Sequence, residues 1–269
     1  MLIVEYYQTD MSSQLKIGIV IPARMASERL PGKPLLDVLG LPMIEHVRRR
    51  AMLSSLSNNV IIASGDPEIL EVIEKNGGTA VRTIQEHMNG LSRVSEVAKE
   101  LDFTHIIVLQ GDEILVLPED LNALGSAILS APEIDFWNGI SVLDSPEELD
   151  DRSIVKCIQK EDKSVQTMFR GTPLTSPTFT QMLLVKKING LFAISENFLS
   201  EIVSHPATPI ESAESIEQMR ILEMSRSIAT FNMKINYPSI NLPNDVSKVL
   251  SVLSEDPIQK QILSQIKNM

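Results

Sequence analysis

A single cysteine, Cys157, stands in 269 residues. A disulfide within the chain is therefore excluded, and a cysteine-based metal site is not expected. Cys157 reads as a core or surface thiol in a reducing compartment. No apolar stretch approaches the roughly 18 residues that a membrane-spanning helix needs. The opening segment MLIVEYYQTDMSSQ carries Glu5 and Asp10 and has no basic stretch, so it lacks the form of a signal peptide. Cytoplasmic location, with no membrane partner, is the expectation. The four histidines, His46, His87, His105 and His205, show no metal-ligand spacing. Neither GxxxxGK[ST] nor GxGxxG occurs, and no Ser-His-Asp or Cys-His ordering stands out. The lack of a nucleophile set fits phosphoryl or nucleotidyl transfer, where the protein mainly positions groups and neutralises charge. Basic charge is also scarce: 24 Lys+Arg against 35 Asp+Glu give a formal net charge of -11. That balance argues against a nucleic-acid partner, although a local cluster of cations can still bind a small anion.

What is present is an ordinary globular composition, 43% hydrophobic and 22% charged. The chain is long enough for one large or two small domains with a sizeable core. Lys16–Pro22 (KIGIVIP) is a continuous β-branched run of the kind that forms a strand buried on both faces. Further strands are expected at Asn59–Ser64, Thr79–Thr83 and His105–Gln110. Helices are expected between them at Pro42–Leu56, at Pro67–Asn76 with a stop at Gly77-Gly78, and at Leu91–Leu101. This alternation predicts an α/β fold: a mostly parallel, doubly wound, Rossmann-like sheet with ligands at the carboxyl ends of its strands. The second half predicts a hairpin of Ile154–Gln159 and Gln166–Phe169 turning at Asp162-Lys163, then a strand at Lys187–Ile194. Helices at Asn197–Val203 and Ser212–Ser225, a strand at Ala229–Ile235 and a helix at Pro243–Leu253 complete the reading. The expected organisation is an N-terminal extension, 1–15, and a single domain, 16–269, with an inserted antiparallel section near 150–195.

Four constellations could carry chemistry. The loop after the first strand holds Arg24, Arg29 and Lys33 around Ser27, with only Glu28 to offset them. Such a run is either a polyphosphate cradle or a solvated charged loop, and its place at a strand's carboxyl end favours the cradle. Gln110-Gly111-Asp112-Glu113 ends the fourth strand. Asp112 suits Mg²⁺ shared with phosphate oxygens, or equally a turn or helix cap. Glu86–Arg93 (EHMNGLSR) precedes a helix, and a lone His87 there is most often a satisfied polar residue. Glu211, Glu214 and Glu217 repeat at a helical spacing and fit a solvated helix face. Between Arg24 and Arg50 the chain is formally +3, which leaves -14 on the rest. A polyphosphate is expected to dock at that reversal.

The run IPARMASERLPGKPLLDVLGLPMIEHV resembles the opening of the sugar-activating cytidylyltransferases, above all the CMP-Kdo synthetase (3-deoxy-manno-octulosonate cytidylyltransferase) family. IIASGDPEILEVIEKNGG, EHMNGLSRVSEV, VLQGDE and EQMRIL follow in that family's order. The resemblance implies a nucleotidyltransferase sheet. It also implies transfer of CMP from CTP to the anomeric hydroxyl of an acidic sugar, a 3-deoxy-ulosonic acid, with Mg²⁺ required and pyrophosphate leaving. By position, Arg24, Ser27, Arg29 and Lys33 would hold the triphosphate, with Ala23 beside it. Asp112 would hold Mg²⁺. His87, Asn89, Gly90 and Arg93 would lie near the nucleoside, and Gln110, Glu211, Glu214 and Gln218 around the sugar. A homodimer through the inserted strands is implied as well.

Several positions depart from the family pattern. Asn241 stands where a second metal-binding Asp is usual, Ile114 replaces a Pro and Leu91 a Thr. Ile188 and Phe192 stand where the family offers His and Tyr to the sugar, and a site that loses polar partners usually changes its substrate. The alternatives are therefore a nucleotidyltransferase using another nucleotide or acceptor, or a non-catalytic nucleotide-binding relative on this fold.

Overall fold

The computed structural model describes residues 15–269 except Glu28 and Met88. Most of the expected N-terminal extension, up to residue 14, lies outside the described residues. Strand β1 (Ile17–Pro22) is buried from Ile17 to Ile21, as a β-branched run with no polar alternation requires. A loop and two short strands, β2 (Asp37–Val38) and β3 (Leu41–Pro42), lead into helix α1 (Met43–Met52). Strand β4 (Val60–Ser64), helix α2 (Pro67–Lys75), strand β5 (Thr79–Arg82), helix α3 (Gly90–Ala98) and strand β6 (His105–Leu109) continue the alternation. Strands β5, β4, β1 and β6 lie side by side in that order and run parallel.

Helix α4 (Pro118–Ser130) and strand β7 (Phe136–Val142) follow, and neither was apparent from the sequence pattern. Strands β8 (Lys156–Gln159) and β9 (Val165–Phe169) make the expected hairpin. Helix α5 (Thr178–Leu184) then leads into β10 (Val185–Ser195), an 11-residue strand with two tasks. Its first residues, Val185–Lys187, pair with β8, whereas Leu191–Ser195 pair antiparallel with β6 inside the main sheet. The antiparallel section near 150–195 thus merges with the centre of the sheet. Beyond β10 come helices α6 (Glu196–Ser204), α7 (Pro209–Glu214) and α8 (Met219–Glu223), strand β11 (Ala229–Asn232), and helices α9 (Pro243–Glu255) and α10 (Pro257–Lys267). The full order is β11-β7-β10-β6-β1-β4-β5.

Apolar layers cover both faces. Ile44 and Val47 of α1, Ile69 and Ile73 of α2, Leu121 and Leu124 of α4 and Val249 of α9 pack on one side. Leu91 and Val94 of α3, Phe198 of α6 and Met219 of α8 pack on the other, with Cys157 buried among them. The helix expected over Ser212–Ser225 is broken into α7 and α8 at Ser215, which takes φ 52. Among the described residues, no helix is long and apolar enough to cross a membrane.

Candidate active site

The carboxyl ends of β1, β4 and β6 open at one edge of the sheet. Ala23 N donates to Ala63 O at 2.9 Å, which carries the parallel pairing one residue past β1. The chain then curls back, with Ser27 N and Gly32 N both donating to Met25 O at 2.9 and 3.2 Å. Gly32 takes φ 71, a left-handed turn that glycine enters without steric cost. Asp66, at the start of α2, makes no side-chain cap there and instead accepts Met25 N at 2.8 Å. This fold-back sets Arg24, Ser27, Arg29 and Lys33 along one wall of a cavity of about 420 Å³.

Gln110 and Asp112, just past β6, face them, and Asn241 from the loop before α9 completes that side. Lys33 Nζ donates to Asp112 Oδ2 at 3.0 Å and to Ile240 O at 2.9 Å. Arg29 Nη2 donates to Asn241 Oδ1 at 3.3 Å. The Asn241 amide is fixed in that sense because its Nδ2 donates to Ser239 Oγ at 3.0 Å. Asp112 and Asn241 thus present a carboxylate and an amide oxygen beside the cations. Among the described residues, no group of three or more His, Cys, Asp or Glu could hold a metal ion. A pair of hard oxygen ligands fits Mg²⁺ that takes most of its ligands from phosphates and water.

A further wall comes from the start of α3. Asn89 caps that helix, its side chain accepting Ser92 N at 2.9 Å, and His87, Gly90 and Arg93 line the cavity beside it. Phe192 of β10 closes another side, stacked on Phe136 with ring centroids 5.3 Å apart.

Most residues expected at the site by sequence therefore meet in one cleft: Ala23, Arg24, Ser27, Arg29, Lys33, His87, Asn89, Gly90, Arg93, Gln110, Asp112 and Asn241. Three do not. Glu211 is buried in an ion pair with Arg220 (Nε to Oε2, 2.7 Å) and caps α7 through Thr208. Glu214 is also absent from the cleft lining. Gln218 turns its amide to Asn138 Oδ1, 3.4 Å away. The break after α7 rotates the Glu211–Glu214–Glu217 row off one face. As a result Glu217, the residue directly before Gln218 in the EQMRIL segment, enters the cleft instead. Burial pushes the Glu217 carboxyl up to about 7 against the opposing pull of Arg220. Among the described residues, its Oε1 is enclosed without a hydrogen-bond partner.

Two further corrections concern charge and departures. Arg48 and Arg49 pair with the buried Glu45 at 2.6 and 2.8 Å, and Arg50 is fully buried. Only Arg24, Arg29 and Lys33 of the six cations in that segment therefore serve the cleft. Ile114 and Leu91 are core residues, 0% and 3% exposed, so those two substitutions answer to packing. Glu113 points away from the cleft, accepting Gly190 N at 2.9 Å. Burial and the charge of Asp112 push its carboxyl up to about 7. A Cβ at Gly190 would stand 2.5 Å from Glu113 Oε1, so any larger residue there would have to displace the Glu113 carboxylate.

Comparison with known proteins agrees with this geometry. The family model described as cytidylyltransferase matches residues 18–228. The chain is 30% identical to the 3-deoxy-manno-octulosonate cytidylyltransferase of Escherichia coli, covering 90% of this chain and 97% of that one. It is 36% identical to the enzyme of that name from Acidithiobacillus ferrooxidans, covering 79% and 89%. A solved CMP:2-keto-3-deoxy-manno-octonic acid synthetase complexed with CTP superposes with a TM-score of 0.83 at 31% identity, covering 90% of this chain and 99% of that one. A cytidylyltransferase from Leptospira borgpetersenii, 18% identical with a TM-score of 0.62 and 94% of each chain covered, shares the fold. The chain belongs to the cytidylyltransferase family, among the 3-deoxy-manno-octulosonate cytidylyltransferases.

Proposed function

We propose that the protein transfers CMP from CTP to the anomeric hydroxyl of a 3-deoxy-ulosonic acid, releasing pyrophosphate. The observation that carries this reading is the cationic loop Arg24–Lys33 facing Asp112 across one cleft at the carboxyl ends of parallel strands. Guanidinium and ammonium groups there can neutralise a triphosphate, and fixed cations stabilise charge as it moves onto the leaving group. Arg24 and Arg29 would hold the phosphates. Lys33, whose side chain is 15% exposed, would follow the charge onto the leaving pyrophosphate. Asp112 and the Asn241 amide oxygen would hold Mg²⁺, which supplies charge neutralisation at the phosphate oxygens when bound. His87, Asn89, Gly90 and Arg93 would border the nucleoside, and Gln110, Glu217 and Phe192 the acceptor. Attack by the sugar hydroxyl oxygen forms a bond to the α-phosphorus as the bond to the bridging oxygen breaks; the hydroxyl proton is released and pyrophosphate carries away the bridging oxygen.

Phe192 on the cleft wall favours an acceptor that differs from Kdo at the substituent meeting that ring, since phenylalanine offers it no hydrogen bond. A homodimer is part of the proposal. Phe179, Leu183 and Leu184 on α5 are 76%, 60% and 51% exposed, an apolar face that a second copy would cover. A reaction that consumes CTP belongs in the cytoplasm, where nucleoside triphosphates are kept.

Pyrophosphate release measured with CTP, UTP, ATP and GTP in turn, each with Mg²⁺ and Kdo or related ulosonic acids, tests the nucleotide assignment. Release with CTP alone is expected. Release only with another nucleotide would replace the reading with a different transferase, and CTP binding without any release would leave a binding protein.

A further inference from the structure

The loop Thr83–Asn89 joins β5 to α3 and brings His87 and Asn89 to the cleft. Among the described residues, Ile84–His87 make no backbone-to-backbone hydrogen bond, and Thr83 N to Ser64 O at 2.9 Å is the last before the loop. Side chains of α3 hold it instead. Arg93 Nη1 donates to Thr83 Oγ1 at its start, and Asn89 Oδ1 accepts Ser92 N at its end.

Glu96, one turn beyond Arg93, takes the middle of the loop. Its Oε1 accepts Ile84 N at 2.7 Å, and its Oε2 accepts Gln85 N at 3.3 Å and meets His87 Nε2 at 2.6 Å. A carboxylate is an acceptor only, with about four lone-pair directions, so three converging N–H groups suit it. The contact fixes the His87 ring through Nε2. Glu96 itself is not part of the cleft lining; it borders the neighbouring cavity behind His87 and Asn89, and so reaches the cleft only through the loop.

We propose that Glu96 is a positioning residue of the nucleotide site, acting through His87 and the Ile84–Gln85 backbone to hold the wall that meets the nucleoside. This rests on the functional reading above. Glu96→Gln keeps the size but turns an amide NH₂ towards N–H donors. Hydrogen exchange of the ligand-free protein is expected to speed up about tenfold at Ile84 and Gln85, with β1 and β6 unchanged, and the Kd for CTP measured by calorimetry to rise about tenfold. Because Glu96 acts partly through His87, the same substitution is expected to cost less in a His87→Gln background. Unchanged exchange would overturn the clamp. Faster exchange with unaltered CTP affinity, or full additivity with His87→Gln, would overturn the positioning role. Failure of the unaltered protein to bind CTP is a separate result: it would overturn the functional reading, and with it the role given to Glu96.

Discussion

In the proposed reaction, Asn241 is the second oxygen ligand beside Asp112. Its amide oxygen occupies a place where a carboxylate would bind Mg²⁺ more strongly, and Arg29 already lies against it. Asn241→Asp is expected to lower the Mg²⁺ concentration for half-maximal rate, and an unaltered titration would remove Asn241 from the metal. Lys33→Ala is expected to cost about 2–4 kcal/mol of transition-state stabilisation, the scale of losing one fixed electrostatic donor. Turnover near that of the unaltered protein would dismiss its role. Glu217 gives a pH-dependent test. Its pKa rises from 4.5 to about 7 on folding. The folded state therefore holds a proton that the unfolded state has released, and stability from this group is lost as pH rises through that window. Glu217→Gln should gain stability relative to the unaltered protein between those two pH values in denaturant titrations, and a constant gap would contradict its burial. Arg24, Arg29, Lys33 and Asp112 were legible from sequence because a cationic loop and an acid end two buried strands. Glu217 was not, because its placement depends on a break that its own segment does not encode.

That break belongs to the elements. ESAESIEQ contains no Gly or Pro to break a continuous helix. The interruption is made from outside: Arg170, just past β9, donates from Nε to Glu214 O and from Nη2 to Ser215 O, both at 2.8 Å, drawing off carbonyls at the end of α7. Arg170→Met is therefore expected to raise KM for the acceptor several-fold with little change in CTP affinity, and equal loss of both would place the effect on the fold at large. Strand β7 escaped the sequence for a related reason. Asn138-Gly139 at its centre are poor strand formers. β10 holds them: Asn138 Nδ2 donates to Asn189 O of that strand at 3.1 Å, as well as to Gly139 O of its own strand at 2.9 Å. By contrast, β4 and β6 are buried along their whole length and β1 from Ile17 to Ile21, and all three announce themselves as apolar runs. Helix α5 carries the dimer prediction: Phe179→Glu should shift the molar mass in light scattering from two chains towards one, and no shift would move the interface elsewhere.

At the scale of the whole molecule, the net charge of -11 and the anion site are reconciled by placement. The formal excess of cations between Arg24 and Arg50 divides in the fold: α1 commits its arginines to Glu45, to backbone carbonyls and to the core, while the loop before it turns three cations to the cleft. A short, local reversal of sign is enough to seat a triphosphate on an acidic protein. The doubly wound sheet supplies the edge, the fold-back after β1 supplies the cations, and the β6 end supplies the facing acid. The most direct measurement of this account is ³¹P NMR of the protein incubated with CTP, Mg²⁺ and a panel of 3-deoxy-ulosonic acids. The expected result is one sugar-linked CMP phosphodiester formed in step with pyrophosphate, and CTP left intact with every acid would contradict it.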